Sequence, residues 1–283
     1  MKMWGEAMKI GCNLSNELME LLDEEKVTVD YVKIALGKSG EVIPQEYKRY
    51  GKLLLHGVGQ DISQHTGTSQ LQDINWQCLN SQVQFCNSRF IGVHCGTYQD
   101  DWEPNVVTYE MVKNRMDSFI KLWKEKVNVE LLIENVPYSQ YYEMNNPRII
   151  KHSVLPKLIS ELCIEHEIGL ILDIAHAKVA ASGLNMTLRD YLVALPLEKV
   201  KEIHAVGTKM TEVGLRDNHL EMNEEDYETL EFVLGMTNPE IVTLEYGGFG
   251  EHFAWRSNKE AIERQLNRIA ALVNTSAKAA TTG

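Results

Sequence analysis

The chain has 283 residues, with 40 acidic against 28 basic side chains, a net charge of −12 and a pI near 5.3. That length fits a single barrel domain of about 250 residues, and the acidic balance argues against nucleic acid or any partner held mainly through phosphates, which calls for a basic stripe. Five cysteines (Cys12, Cys78, Cys86, Cys95 and Cys163) make no CxxC pair or regular spacing, and no apolar stretch reaches the roughly 18 residues of a membrane span, so a soluble protein of the reducing cytoplasm is expected, with no membrane contact.

Taken along the chain, short runs rich in Val, Ile and Leu alternate with helical patterns. A strand over 8–14 precedes the helical LSNELMELLDEE, strands follow at 29–36 and 52–57, and the connection over 58–89 is partly loop-like. After a strand at 90–96 and a second long connection to residue 108, Thr108 leads into the helix that contains MVKNRMDSFIKLWKEK. The strand at 128–135 is followed by the helix SVLPKLISELCIEHE, and the strand at 168–174 by TLRDYLVALPLE, where Thr187 and Asp190 approach a capping box. The strands at 200–206 and 241–246 are followed by NEEDYETLEFVL and NKEAIERQLNRIAALV. Repeated strand and helix without a composition shift predicts one closed α/β unit, a (β/α)8 TIM barrel of the xylose-isomerase-like kind, over residues 1–275, with 276–283 as a disordered tail.

Nine side chains able to hold a metal stand at the far ends of these runs or just beyond them: His56, His94, Glu134, Asp173, His176, His204, Asp217, His219 and Glu245. The C-terminal ends of barrel strands converge on one mouth, and burying that many ionisable groups without ions or partners would be costly. Five imidazoles with four carboxylates exceed the shell of one ion, so two or three clustered metals are expected, and imidazole favours iron or zinc over magnesium. Asp217 and His219, two residues apart in what reads as a loop, can face the same side. Asn135, Asp173 and His176 are the candidate catalytic residues, Asn135 as an amide that steadies a ligand or binds substrate. Cys95 should point away from His94 into the core, Lys33 and Lys209 read as solvated, and His65, His152, His166 and His252 read as surface residues.

HGVG after the third strand, LLIEN on the fifth, GLILD on the sixth, ALPLEKVKEIHAVG into the seventh, the Asp217-Asn218-His219 loop and the closing Glu245 resemble the multinuclear non-haem iron-dependent oxidases, the group that includes the methanobactin-biosynthesis oxidase. The resemblance spans roughly residues 50–250 and is strongest over 130–221. It implies a barrel with two or three irons that uses dioxygen to modify a residue, usually a cysteine, of a ribosomally made precursor peptide in natural-product biosynthesis, often with a partner protein that captures the leader. It also places His56, His94, Glu134, Asp173, His204, Asp217, His219 and Glu245 on the family's ligand positions. The chain departs where the family has an Asn-Asn pair after the strand-six Asp, here Ile174-Ala175 followed by His176; where it has a further His, here Thr208; and where strand two often bears Glu, here Lys33. Two other readings use the same residues. One is a zinc hydrolase of the endonuclease IV kind or a metal-dependent sugar isomerase, and the other is a non-catalytic metal-binding or peptide-docking partner.

Overall fold

The computed structural model describes residues 7–36, 42–58, 74–102, 106–145, 148–249 and 251–282. Eight parallel strands close into a barrel: β1 (Lys9–Asn13), β2 (Tyr31–Ala35), β3 (Lys52–His56), β4 (Phe90–His94), β5 (Glu130–Glu134), β6 (Gly169–Asp173), β7 (Val200–Ala205) and β10 (Ile241–Leu244), the last pairing with β1. All eight predicted strands are present, and the TIM-barrel expectation holds. The helices α1 (Asn16–Asp23), α2 (Trp76–Cys86), α3 (Tyr109–Lys126), α4 (Gln140–Met144), α5 (Pro156–Glu165), α6 (Ile174–Gly183), α7 (Leu188–Ala194), α8 (Glu224–Met236) and α9 (Lys259–Thr282) lie between or after the strands. Thr108 caps α3 by accepting from the Met111 N–H, and Thr187 caps α7 by accepting from Asp190, as their positions predicted.

Four differences from the sequence reading have physical causes. α2 lies within the connection read as partly loop-like, where Gln, Asn and Ser are interleaved with Trp76, Leu79, Val83, Phe85 and Cys86 and blur the apolar stripe. α6 starts at the end of β6 with no loop, and seven of its ten residues in IAHAKVAASG are buried, most of them alanine, so no clear amphipathic stripe marks it. An antiparallel hairpin, β8 (Gly207–Thr211) and β9 (Gly214–Leu220), replaces the expected loop. Residues 276–282, expected as a loose tail, continue the backbone of α9, consistent with the high helix propensity of Ala277, Ala279 and Ala280. No helix among the described residues is long and apolar enough to cross a membrane.

Two apolar layers position the mouth. Between strands and helices runs the main core, which includes Leu55, Val93, Ile133, Leu172 and Ile203. Inside the barrel, Tyr31, Leu54, Phe90, Leu132, Ile171 and Ile241 form a separate plug. Side chains alternate along a strand, so the residue two positions beyond each plug member also faces inward, one layer nearer the mouth. On β2, β3, β5 and β6 those residues are Lys33, His56, Glu134 and Asp173, and all four are buried. On β4 the equivalent is Gly92, where a Cβ would lie 2.2 Å from Ile171 Cδ1 and 2.9 Å from His56 Cδ2. Gly92→Ala is therefore expected to destabilise by about 1–3 kcal/mol, the usual range for overpacking, and to displace His56. A thermal midpoint equal to that of the parent would contradict this.

Candidate metal centre

Register brings the candidate ligands to one level. His94 on β4 pairs directly with Glu134 on β5. A shift between Leu170 and Ile171 in the β6–β7 pairing sets Asp173 opposite His204. Glu245, immediately after β10, is held by its N–H donating to the Ala205 carbonyl at 3.1 Å. Glu134, Asp173 and His204 are fully buried, whereas the His94 and His219 side chains keep 18% and 25% of their exposure and form the solvent side.

Two groups of potential ligands result, and they share one residue. His56, His94 and Glu134 form the first; Glu134, Asp173, His204 and Glu245 form the second, with ligand atoms in each group within 4.8 Å of one another. One Glu134 oxygen lies 2.6 Å from His56 Nε2, and the other lies 3.5 Å from His94 Nε2, 3.3 Å from His176 Nδ1 and 3.2 Å from His204 Nδ1. Glu134 is thus the hub of the mouth.

His176, Asp217 and His219 adjoin these groups as a chain. His176 Nδ1 faces the Asn135 carbonyl oxygen at 2.8 Å, an acceptor only, so that nitrogen carries the proton and Nε2 is turned to Asp217 at 3.3 Å. Asp217 in turn lies 3.1 Å from His219 Nε2. The expectation that Asp217 and His219 sit in a loop is corrected: both belong to β9, where a register shift opposite Gly207–Thr208 makes a bulge. Within it His219 takes a left-handed backbone with φ 44°, costly for a non-glycine residue, which aims its Nδ1 at the Glu245 carbonyl 3.2 Å away.

Asn135 does not face the mouth as a reacting group. Its amide nitrogen donates to the Asp173 carbonyl and its oxygen accepts from the Asp173 N–H, both at 2.9 Å, so it fixes the backbone of a candidate ligand. Asp173 also caps α6, its Oδ1 accepting from the His176 N–H at 2.6 Å. Its other oxygen, Oδ2, is buried with no hydrogen-bond partner.

Sequence reasoning missed two members of the mouth. Lys33, read as solvated, is buried, with Nζ 2.5 Å from Glu245 Oε1 and 2.5 Å from His204 Nε2. Glu202 lies 3.1 Å from His204 Nε2 and accepts from the Thr243 hydroxyl at 2.5 Å. Alternation carried the signal for both, since Lys33 is two residues from Tyr31 and Glu202 two residues from His204. Of the histidines read as surface, His166 is half-buried and pairs with Asp117 at 2.7 Å, and His152 packs edge-on against Tyr109. His65 and the His252 side chain fall outside the described residues. Cys95 is buried beside Met116, in the core as expected.

The electrostatics are those of a polar cluster held together by protons. Burial and the Lys33 ammonium push His56 down to about 4, leaving it neutral with a lone pair at pH 7. Burial also opposes the charged form of His204, yet Glu245, Glu134 and Glu202 lift it to about 10. Burial opposes His176 in the same way, and Asp173 and Asp217 raise it. Burial, with Glu245 and Glu134 adding to it, pushes the Asp173 carboxyl up to about 7. Against burial, His204, His94 and His56 hold Glu134 well below the usual carboxylate range. Each buried ion costs several kcal/mol after relaxation, whereas a buried Leu or Ile contributes about 2 kcal/mol. A fold selected for stability alone would fill this layer with apolar side chains. The orphaned Asp173 oxygen and the mixed nitrogen and oxygen donors instead fit first-row transition metals such as iron or zinc.

Known proteins bear on this geometry in two ways. A UPF0276 protein of Acaryochloris marina (strain MBIC 11017) is 32% identical over 127 residues, 44% of this chain and 42% of that one, so the chain spans less than half the length of that relative. A UPF0276 protein of Caulobacter vibrioides (strain NA1000 / CB15N) is 26% identical over 209 residues, covering 70% of this chain and 71% of its own. Among solved structures, the IOLI protein with a bound zinc atom superposes with a TM-score of 0.64 at 15% identity, over 95% of this chain and 99% of that one. Endonuclease IV from Thermus thermophilus gives 0.55 at 17% identity, over 92% and 99%. At such identities the likeness shows the barrel fold alone. The family model for the RiPP precursor modification enzyme MbnB/TglH/ChrH matches residues 9–248, which takes in all eight barrel strands and all nine candidate ligands, and the chain belongs to that family.

Proposed function

We propose that this barrel is a multinuclear, iron-dependent enzyme that uses dioxygen to modify a residue, by preference a cysteine, of a ribosomally synthesised precursor peptide, with a leader-binding partner protein as a candidate helper. The observation that carries the reading is Glu134, one buried carboxylate common to both ligand groups, since a carboxylate with two acceptor oxygens can serve neighbouring ions. Membership of the family supplies the substrate class.

His56, His94 and Glu134 would hold one ion and Glu134, Asp173, His204 and Glu245 another, with His176, Asp217 and His219 completing shells on the side of the hairpin. Iron supplies the redox capacity and the site for dioxygen or thiolate that such chemistry needs. The chain's own part is positional. Asn135 fixes Asp173, α6 presents His176, and the bulge of β9 turns His219 inward. Partly exposed His94 and His219 leave that side of the mouth open to a peptide side chain.

Elemental analysis and a Mössbauer spectrum of anaerobically purified protein test the reading. Two or more equivalents of iron are expected, with dioxygen consumed when a precursor peptide is present. Zinc alone would favour the hydrolase reading and overturn the oxidase. Proton release gives a second check. His204, lifted to about 10, carries a proton at pH 7 in the metal-free protein, and metal must displace it. Metal added to apoprotein in weak buffer at pH 7 is expected to acidify the solution, and affinity should rise by about tenfold per pH unit for each proton displaced, up to about pH 10. A pH-independent affinity between 6 and 9 would contradict it.

A further inference from the structure

The hairpin that carries Asp217 and His219 is a two-stranded sheet, and among the described residues β8 pairs with β9 alone. The outer edge of β9 is occupied, because the Asp217 N–H donates to the Tyr142 hydroxyl and the Leu215 carbonyl accepts from the Ser139 hydroxyl at 2.7 Å. In an antiparallel ladder, residues directly opposite each other turn their backbone groups the same way, inward or outward, so Thr208 and Met210, opposite Asp217 and Leu215, turn theirs outward as well. Among the described residues nothing bonds to that edge of β8, which is open. Lys209, exposed at the centre of β8, is registered directly against Arg216 on β9, so two cations share one face. Like charges placed opposite each other destabilise a strand pair, and among the described residues no carboxylate lies within ion-pair distance of either. Arg216 rests instead over the Tyr141 ring, 4.6 Å from its centre. In a chain of net charge −12, an open strand edge is thus flanked by two cations without a counter-charge.

We propose that β8 accepts an extended, acidic stretch of the peptide substrate as a third strand, with an acidic side chain beside Lys209. The inference rests on the peptide-modifying reading above and specifies how the peptide is held. An open edge offers main-chain hydrogen bonds to any extended chain, and the side chains flanking it supply the selectivity. The 5 residues of β8 span about 17 Å at about 3.3 Å each, so a stretch of similar length is held. β8 begins at Gly207, just after β7 delivers His204 to the mouth, so the end of the added strand beside Gly207 is the end nearest the candidate ligands. A second copy of this chain is a poorer occupant. Antiparallel pairing of two β8 strands about their centres would set Lys209 against Lys209, another like-charge pair.

The test uses anaerobically purified protein and two dye-labelled synthetic peptides, Thr-Val-Thr-Glu-Thr-Val-Thr and the same sequence with Lys in place of Glu, both blocked at their ends. Binding is read by fluorescence anisotropy and by amide hydrogen exchange. The Glu peptide is expected to bind about tenfold more tightly than the Lys peptide, the contrast between an attractive and a repulsive exposed pair, and to slow exchange at Thr208 and Met210. Lys209→Glu should reverse that preference. Met210→Pro, which removes an outward donor and spares the bonds to β9, should weaken both peptides. Equal binding of the two peptides by the parent, or an unchanged preference in Lys209→Glu, would overturn the inference, as would protection confined to other strands or an edge-to-edge dimer of the peptide-free protein in sedimentation. Should Met210→Pro not fold, the Lys209→Glu comparison decides alone. Iron content of the same samples keeps the two readings apart. Selective peptide binding without iron would remove the oxidase reading alone, and iron without selective binding would remove the docking inference alone.

Discussion

Glu134→Gln is expected to abolish modification activity and to bring bound metal below one equivalent, although Gln preserves volume and one acceptor oxygen. Glu134 belongs to both ligand groups, so its charge is lost to both at once. Glu245→Gln touches only the second group and should leave roughly half of the metal in place. The metal-free fold should weaken too. The surrounding imidazoles hold Glu134 below the usual carboxylate range against the opposing effect of burial, so its ionised form stabilises the fold above the unfolded carboxylate range and that contribution is lost as pH falls. At pH 7 removing it strips one partner from a buried ionic cluster, at a cost of about 3 kcal/mol. Metal content and thermal midpoints of the two variants check this. Full metal occupancy in Glu134→Gln would be incompatible with its role as the hub.

Asp217→Ala should cost both metal and stability, a larger effect than its apparent loop position suggests. An exposed loop substitution typically costs under about 0.5 kcal/mol. In the structure Asp217 sits in β9, its N–H donates to the Tyr142 hydroxyl at 3.2 Å, and its carboxylate lies 3.3 Å from His176 and 3.1 Å from His219. Removing the carboxylate leaves two imidazoles without their shared partner, so a loss of about 2–3 kcal/mol in the metal-free protein is expected. Metal should fall by about one equivalent if His176, Asp217 and His219 serve the same ion. Tyr142→Phe, which keeps the carboxylate, should hold its metal. Chemical denaturation with metal analysis separates these outcomes, and an Asp217→Ala protein with unchanged metal would detach the hairpin from the site.

The sequence made the strands legible because each is a compact Val, Ile and Leu run, and made much of the mouth legible because His or an acid closes five of them: His56, His94, Glu134, Asp173 and, near its end, His204. The same feature hid which side chains face inward. A parallel strand covered on both sides is apolar throughout and shows no alternation of its own. Lys33 therefore read as solvated although its spacing from Tyr31 puts it in the barrel, and Glu202 went unnoticed beside His204. α6 is hidden for a related reason, since a helix of mostly small, buried residues carries no clear stripe. The hairpin is hidden in the sequence because GTKMT and GLRDNHL lack a clean apolar alternation, and a register shift opposite Gly207–Thr208 breaks the period further. Asn135 was recognised as a functional residue, but its role of clamping the Asp173 backbone depends on contact across two strands, which spacing alone does not contain.

Anomalous scattering at the iron edge from crystals of anaerobically loaded protein is the most direct test of the central claim. Two peaks are expected within about 2.5 Å of Glu134 carboxylate oxygens, one also contacting His56 and His94 and the other Asp173 and Glu245. A single peak away from Glu134, or iron bound only by surface histidines, would contradict the account.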